Sequence, residues 1–505
     1  MCGINGILHF GGFDSGKTDE YHFANIRVMN EAISHRGPDE EGVFVDYPIS
    51  LGFRRLSIID LSELGNQPMF NEDDSVVIVF NGEIYNYKEL MPELISKGHV
   101  FKSKCDTEVV IHAYEEYGEE CVKLFNGMWA FVIYDLKKKK LFASRDRFGV
   151  KPFYFYKDNN RFIFSSEIKA ILELGIGSNA DHSKVFNYLA YGYRTNDGRT
   201  FFQHISELQP AHNLMISQNS FSVKRFWDFP ETKYSRNNLT EDLRELVFDS
   251  VSLRFRSDVP VSILLSGGID SGIIASVSNM LIEKGVLSNE SVSAYSAVFP
   301  GFRYDESEQI KEILSRCPHI SGNFITPSSE NLAHHLPDFV YGMGEPVFSS
   351  TSFAHYVLMK EISKRGVKVV LNGQGSDEAW AGYGRYIIGY CLLGILLAEP
   401  GKFIDQLKKS SAAMGLSTTF ITGQLLKALL PRRYASRLRS QYSEKIFGML
   451  SNDFIKQNYV SFQNPVGNRM SSSSLDNYLK YNIAYQGFNQ ILHYEDHSSM
   501  QSSIE

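Results

Sequence analysis

VSILLSGGIDS, residues 261–271, sets an apolar run directly before two glycines and a serine-rich helix start. An apolar run of this length bounded by a turn signal predicts a buried strand at residues 261–265. The glycines then let backbone N–H groups approach an anion, and a helix beginning near Ser271 adds a favourable partial charge at its N-terminus. Working outward, residues 241–254 have a helical pattern, and residues 292–299 and 367–371 read as further strands with helices between. Strands alternating with helices predict a parallel sheet that binds ligands at its strand C-termini. Residues 372–378, NGQGSDE, follow one of those strands, so they are expected at the same sheet edge as the glycine loop. From about residue 393 the chain reads as mainly helical.

The first 205 residues or so read differently. Residues 75–80 form a strand pattern running into Asn81-Gly82, expected to be a tight turn. Residues 128–134 and 140–145 read as paired strands around a solvated lysine turn, and residues 151–156 and 161–165 as a second pair. Amphipathic helices are expected near residues 25–34 and 108–117. This is an α+β pattern dominated by antiparallel pairs. The polar stretch 227–238 reads as part of a linker.

The chain has 505 residues, so two or more domains are expected. It is 43% hydrophobic and 22% charged, ordinary values for a soluble globular protein. A net charge of -7 gives no reason to expect nucleic acid as a partner. Five cysteines without CxxC spacing argue against a disulfide framework and a zinc-thiolate site, and favour a reducing cytoplasm. The N-terminus lacks the basic stretch of a signal peptide. The longest apolar run, residues 386–398, is too short to span a bilayer and reads as a buried helix.

Cys2 follows the initiator methionine. Once that methionine is trimmed, the chain begins with a thiol beside a free amine that can act as its base. In sequence order come HRGPD (35–39), RLSIID (55–60), NGEIYN (81–86), DTE (106–108) and RDRFGVKP (145–152). A free amino acid needs an anchor at each end. An arginine fork suits an α-carboxylate, and an aspartate suits an α-ammonium. An Asn side chain and a Gly N–H suit a tetrahedral oxyanion. Arg55, Asp106, Asn81 and Gly82 are the right types for these tasks.

These motifs, from Cys2 to about Ala170, resemble the glutaminase domain of class II glutamine amidotransferases, which have the αββα sandwich of N-terminal nucleophile hydrolases. The resemblance implies Cys2 as nucleophile, Asn81 and Gly82 as catalytic, and Arg55, Ile59, Asn81, Gly82, Glu83 and Asp106 as glutamine-binding. The SGGIDS loop resembles the pyrophosphate loop of ATP pyrophosphatases. It differs from the GxxxxGK[ST] loop of γ-phosphoryl transferases. With NGQGSDE and the YEDHSSM stretch at 494–500, the whole resembles the glutamine-hydrolysing asparagine synthetase family. That implies Leu265, Ser266, Gly267, Gly268, Asp270, Ser271, Val298, Asn372 and Gly373 as ATP- or pyrophosphate-binding. It places Gln374 at the adenylate-forming position, with Asp270 and Asp377 on Mg²⁺. The expected partners are glutamine, ATP and aspartate, with a homodimer open to the chain and neither nucleic acid nor membrane involved. The expected division is a glutaminase domain at 1–205, a linker at 206–239, and a synthetase domain at 240–505 with a helical C-terminal part.

Two departures bear on function. Relatives mostly carry glutamate where Gln374 stands, so amidation of another carboxylate, such as a sugar uronic acid, rivals amidation of aspartate. Relatives also continue past residue 505 into an RxPFLD segment and a basic part, so an incomplete or impaired synthetase domain is expected. Two further rivals are a synthetase-like binding module and a glutaminase serving a different acceptor enzyme. Retained Cys2, Asp270 and Asp377 argue against the first, and the SGGIDS loop against the second.

Overall fold

The computed structural model describes residues 2–505 apart from 13, 193, 195–196, 218–219, 231–237, 288–289, 304, 348, 385–391, 430–447, 459–474 and 486. The chain divides into two units. The first comprises Met1–Asn179, Gly198–Gly373 and Ile491–Glu505, and the second Ala180–Asp197 and Gln374–Gln490.

The first unit opens with strand β1 (Gly3–His9), helix α1 (Asp19–Ala32), β2 (Glu40–Asp46), β3 (Ile49–Arg55), β4 (Met69–Phe70) and β5 (Val76–Ile84). It continues through α2 (Tyr87–Ser96), α3 (Asp106–Tyr117), β6 (Gly127–Asp135), β7 (Lys140–Arg145), β8 (Tyr154–Lys157), β9 (Arg161–Ser165) and α4 (Ile168–Leu172). After α5 (His182–Tyr191), which belongs to the second unit, come β10 (Ile205–Glu207), β11 (His212–Ser217) and β12 (Ser220–Arg225). Two six-stranded antiparallel sheets result, in the orders β10-β8-β9-β1-β3-β2 and β12-β11-β7-β6-β5-β4.

The two-residue period of the strands builds four layers. Ile4, Leu8, Leu51 and Phe53 from one sheet meet Val77, Val79, Val132 and Ala143 from the other. On the outer face of the first sheet, Ile7 and Ile163 pack on Ile26 and Met29 of α1 and Ile171 of α4. On the outer face of the second, Ile78, Phe80 and Phe131 pack on Val109 and Ala113 of α3. Helix, sheet, sheet, helix is the αββα sandwich.

Next come α6 (Leu239–Arg254), β13 (Val261–Leu264), α7 (Ile269–Glu283), β14 (Val292–Ala297), α8 (Ser307–Ser315), β15 (Ile320–Ile325), α9 (Ser329–Met343), α10 (Ser350–Ser363) and β16 (Val369–Leu371). These four strands form a sheet in the order β15-β14-β13-β16, every pair parallel. The second unit is helical, with α11 (Ser376–Trp380), α12 (Leu393–Ala398), α13 (Pro400–Met414), α14 (Thr418–Leu429), α15 (Asn452–Asn458) and α16 (Leu475–Tyr485). The last helix, α17 (Gly487–Met500), contributes its residues from Ile491 onward to the first unit. Leu392, Ile421 and Leu425 form a small core in the second unit. Among the described residues no helix is long and apolar enough to cross a membrane.

Several expectations need correction. Asn81 and Gly82 are not a turn. They lie inside β5, opposite Ala130 and Trp129 of β6. Glycine is needed at 82 for space, since a Cβ there would sit 2.3 Å from the Met128 carbonyl oxygen. Helix α1 starts at Asp19 rather than near residue 25, because Thr18 caps the amide of Tyr21. The expected linker 206–239 begins too early, since residues through Arg225 supply β10, β11 and β12; residues 231–237 lie outside the described set. Within the run 386–398, residues 386–391, nearly half of the expected buried helix, also lie outside it. In the remainder Leu392 is buried but Gly394 and Ala398 are exposed. Strand β15 was not expected at all. The serine run 471–474 lies outside the described residues.

Candidate active sites

Cys2 stands immediately before β1, one of the two middle strands of the first sheet, and is half-buried. Its backbone N–H donates to Asn81 Oδ1 at 3.1 Å, and its carbonyl accepts from Arg36 Nε at 3.3 Å. The thiol points at the Leu56 carbonyl, 4.0 Å away, and burial pushes its pKa up. Asn81 is fully buried, and among the described residues its Nδ2 has no hydrogen-bond partner. A buried amide donor without a partner is costly, so its presence beside a thiol marks a place where an oxygen is wanted.

Cys2, Arg55, Ile59, Gly82, Glu83 and Asp106 line one cavity. The structure thus brings together six of the seven residues expected around glutamine, with Asn81 adjoining through Cys2. Arg55 ends β3, and its guanidinium is already fixed. Nη1 donates to Glu40 Oε2 and the Ser62 carbonyl, each at 2.9 Å, and Nη2 donates to the Asp60 carbonyl. Gly65 makes room for it, because a Cβ there would lie 2.2 Å from Arg55 Nη2. Asp106 opens α3 and accepts the Ile84 amide at 2.8 Å, which ties α3 to the end of β5. Burial pushes its carboxyl up to about 6. Burial, with Asp106 and Glu505 nearby, pushes the Glu83 carboxyl well above its ordinary value.

Gln67 was missed from sequence. Its Oε1 accepts the Phe80 amide at 2.6 Å, and its Nε2 donates to the Phe80 carbonyl and to Thr107 Oγ1, pinning β5 to the start of α3. Its only signal is the polar side chain before Pro68, which does not separate it from ordinary turn residues.

The second site lies at the carboxyl ends of β13, β14 and β16. After β13 the loop turns back on itself. The Ser266 amide donates to Ser271 Oγ at 3.0 Å, and the Gly268 amide to Ser266 Oγ at 3.2 Å. The Gly267 amide donates to the Glu306 carboxylate at 3.0 Å, so this loop does receive an anionic oxygen. Gly373 follows β16 so closely that a Cβ would lie 3.1 Å from both Asp270 Cβ and the Ser271 amide nitrogen. Asn372 Nδ2 donates to Glu495 at 2.7 Å. Leu265 and Val298 turn their side chains into the apolar core, so any part they play at a nucleotide is through backbone. Gln374, exposed, and Asp377 belong to the second unit, where a Cβ at Gly382 would meet Asp377 Oδ1 at 1.7 Å.

Between the sandwich and the parallel sheet runs a chain of buried charges. Arg36 donates to Glu167 at 3.0 Å and meets Asp496 at 2.9 Å; Lys151 reaches Asp496 at 3.2 Å and Glu505 at 2.6 Å. Burial alone would raise the two acids, but Arg36 and Lys151 hold Asp496 below its usual range, and His35, Lys169 and Arg36 hold Glu167 well below. A neighbouring cavity is lined by both polar and apolar residues, among them Tyr154, Glu167, Ile168, Met343 and His493.

The family described as glutamine amidotransferase domain matches residues 1–227, and that described as asparagine synthase matches residues 242–505. The chain is 37% identical to the putative asparagine synthetase [glutamine-hydrolyzing] 2 of Methanocaldococcus jannaschii over 77% of each chain. It is 34% identical to asparagine synthetase [glutamine-hydrolyzing] 1 of Bacillus subtilis, over 76% of this chain and 59% of that protein. Amidase chry2 of Gibberella zeae is 31% identical over 76% of this chain and 59% of its own length. The matches therefore span under two thirds of the latter two relatives.

Proposed function

Because this chain belongs to the glutamine-hydrolysing asparagine synthetase family, we propose that it makes asparagine from aspartate and ATP with ammonia released from glutamine by Cys2. The observation that carries the glutaminase half is the Cys2–Asn81 pair. One end of the Asn81 amide holds the nucleophile's own nitrogen, and the other, Nδ2, is buried with no partner among the described residues.

With Met1 removed, the Cys2 nitrogen becomes an amine adjacent to the thiol and takes its proton as Sγ attacks the glutamine side-chain carbonyl. Asn81 Nδ2 and the Gly82 amide take the negative oxygen that develops. The amine returns the proton to the leaving ammonia, and water then cleaves the thioester to give glutamate. Arg55 receives the α-carboxylate and Asp106 the α-ammonium. Glu83, whose carboxyl burial pushes well above its ordinary value, lines the same cavity.

At the second site the aspartate side-chain carboxylate attacks the α-phosphorus of ATP and pyrophosphate leaves. Ammonia then attacks the acyl carbon and AMP leaves. The Ser266–Ser271 loop would hold the pyrophosphate on its amides, as it holds the Glu306 carboxylate on the Gly267 amide. The oxygen-donor chemistry of Asp270 fits Mg²⁺, and the glycine at 373 leaves its flank uncrowded; Asp377 carries the same carboxylate chemistry within the second unit. When bound, the ion would supply charge neutralisation at the phosphates. Gln374 offers a neutral hydrogen-bonding amide to the acyl acceptor.

The test is a labelling experiment. Glutamine carrying ¹⁵N in its side-chain amide, with ATP, Mg²⁺ and aspartate, should yield ¹⁵N-asparagine with AMP and pyrophosphate in equal amounts. Transfer of the label to a uronic acid but not to aspartate would overturn the substrate assignment. ADP and phosphate as products would overturn the adenylate route.

A further inference from the structure

Glu72, His99, His112 and Glu115 place four ligand atoms within 4.8 Å of one another, on the side of the sandwich formed by α3. We propose that these four residues form a binding site for a borderline transition-metal dication of the Zn²⁺ type, separate from both active sites.

The sequence builds the cluster from three segments. His112 and Glu115 are three apart on α3, so they share one face of the helix. His99 comes from the turn after α2, and Glu72 from the turn joining β4 to β5. His112 Nδ1 lies 3.1 Å from Glu115 Oε2 and 3.5 Å from Glu72 Oε1. His99 Nδ1 lies 3.6 Å from Glu72 Oε1 and 3.9 Å from Glu115 Oε2. A tetrahedral ion with bonds of about 2.05 Å spaces its ligands about 3.3 Å apart. These four separations bracket that value, and all six lie within 4.8 Å.

The surroundings match those of metal-bound histidines, whose second nitrogen usually faces a carboxylate. His112 Nε2 lies 3.7 Å from Glu108 Oε1, and His99 Nε2 lies 3.6 Å from Glu116 Oε2. Both histidines therefore present Nδ1 to one shared point and Nε2 to a carboxylate of its own. Glu115 is oriented by Asn71 Nδ2 at 2.6 Å, and Glu72 by the Val100 amide at 2.9 Å. The Phe101 ring stands edge-on to His112, 4.6 Å between centroids, and fixes its plane. Four carboxylates thus face two imidazoles and one ammonium, Lys97, which meets Glu116 at 2.8 Å; the carboxylates outnumber the cation, an excess that a dication would offset. Two imidazole nitrogens with two carboxylate oxygens suit Zn²⁺ better than Mg²⁺ or Ca²⁺, which prefer oxygen alone. The ion would tie the β4–β5 turn and the residue 99 turn to α3, whose first residue, Asp106, faces the glutaminase cavity.

The experiment uses the full chain with Cys2→Ala, so that the active-site thiol does not compete. After treatment with chelator it is loaded with Zn²⁺, desalted and analysed for metal, and separately titrated with Co²⁺. One retained zinc per chain and an intense tetrahedral cobalt spectrum are expected. His99→Gln and Glu115→Gln, both at partly exposed positions, should weaken binding at least tenfold while circular dichroism stays unchanged. No retained zinc, an octahedral cobalt spectrum, or undiminished binding in both variants would overturn the proposal. Because the readout is metal content, it fails or succeeds independently of amide synthesis.

Discussion

Asn81 concentrates the account at the residue scale. If its free Nδ2 stabilises the oxyanion, Asn81→Ala should lower kcat for glutamine hydrolysis about 10²–10³-fold. Ammonia-dependent synthesis should be untouched; an equal loss in both would point to a folding defect. Asp106 gives a second test. Its carboxyl is pushed up to about 6 and must be ionised to receive an ammonium. As pH falls through 6 the neutral form takes over, so KM for glutamine should climb about tenfold per pH unit below that point. Asp106→Asn should have a high KM with no such slope. The chemical types at this site were legible in the sequence, because few other tasks gather a second-position cysteine, an arginine, an aspartate and Asn-Gly. Their contacts were not. Nothing in the sequence says that Arg55 is already anchored by Glu40 and the 60–62 carbonyls, that burial pushes the Glu83 carboxyl up, or that Gln67 pins β5 to α3.

At the scale of elements, the strand–loop–helix at residues 261–271 was readable because its apolar residues run together, with Ser262 alone between them. The paired strands β6 and β7 were readable for the same reason. Strand β15 was not, since ISGNFI carries glycine and polar residues and only its ends, Ile320 and Ile325, are buried. The Asn81-Gly82 dipeptide misled because it matches the commonest hairpin signal. Its glycine instead answers to crowding by the neighbouring strand, a tertiary fact. Gly373 has the same kind of role between β16 and α7. Gly373→Ala would press a methyl to 3.1 Å from Asp270 Cβ and the Ser271 amide. We expect it to raise KM for ATP several-fold in pyrophosphate-release assays and to leave glutamine hydrolysis unchanged. Unaltered ATP kinetics would contradict the assignment of this loop edge to the nucleotide.

At the scale of the whole molecule, Arg36 links the strand that follows Cys2 to Asp496 near the chain's other end. No local pattern reveals a contact across 460 positions. Replacing it by Met would leave Glu167 and Asp496 buried without their shared partner, a loss of about 3–5 kcal/mol in denaturant unfolding. The acids set a pH dependence. Both carboxyls are held below their ordinary values of 3.8 and 4.5, so their stabilisation is present above those values. It should drain away as pH falls below about 4 toward the lowered folded-state values, and the loss should be smaller in Asp496→Asn. The central claim is that one thiol supplies nitrogen to a separate ATP-using site. The most direct measurement is asparagine formation by Cys2→Ala with ATP, Mg²⁺ and aspartate, given either glutamine or ammonium. The account predicts no product with glutamine and turnover close to the unmodified enzyme's with ammonium. Product from glutamine, or failure with ammonium in a variant that is folded, would contradict it.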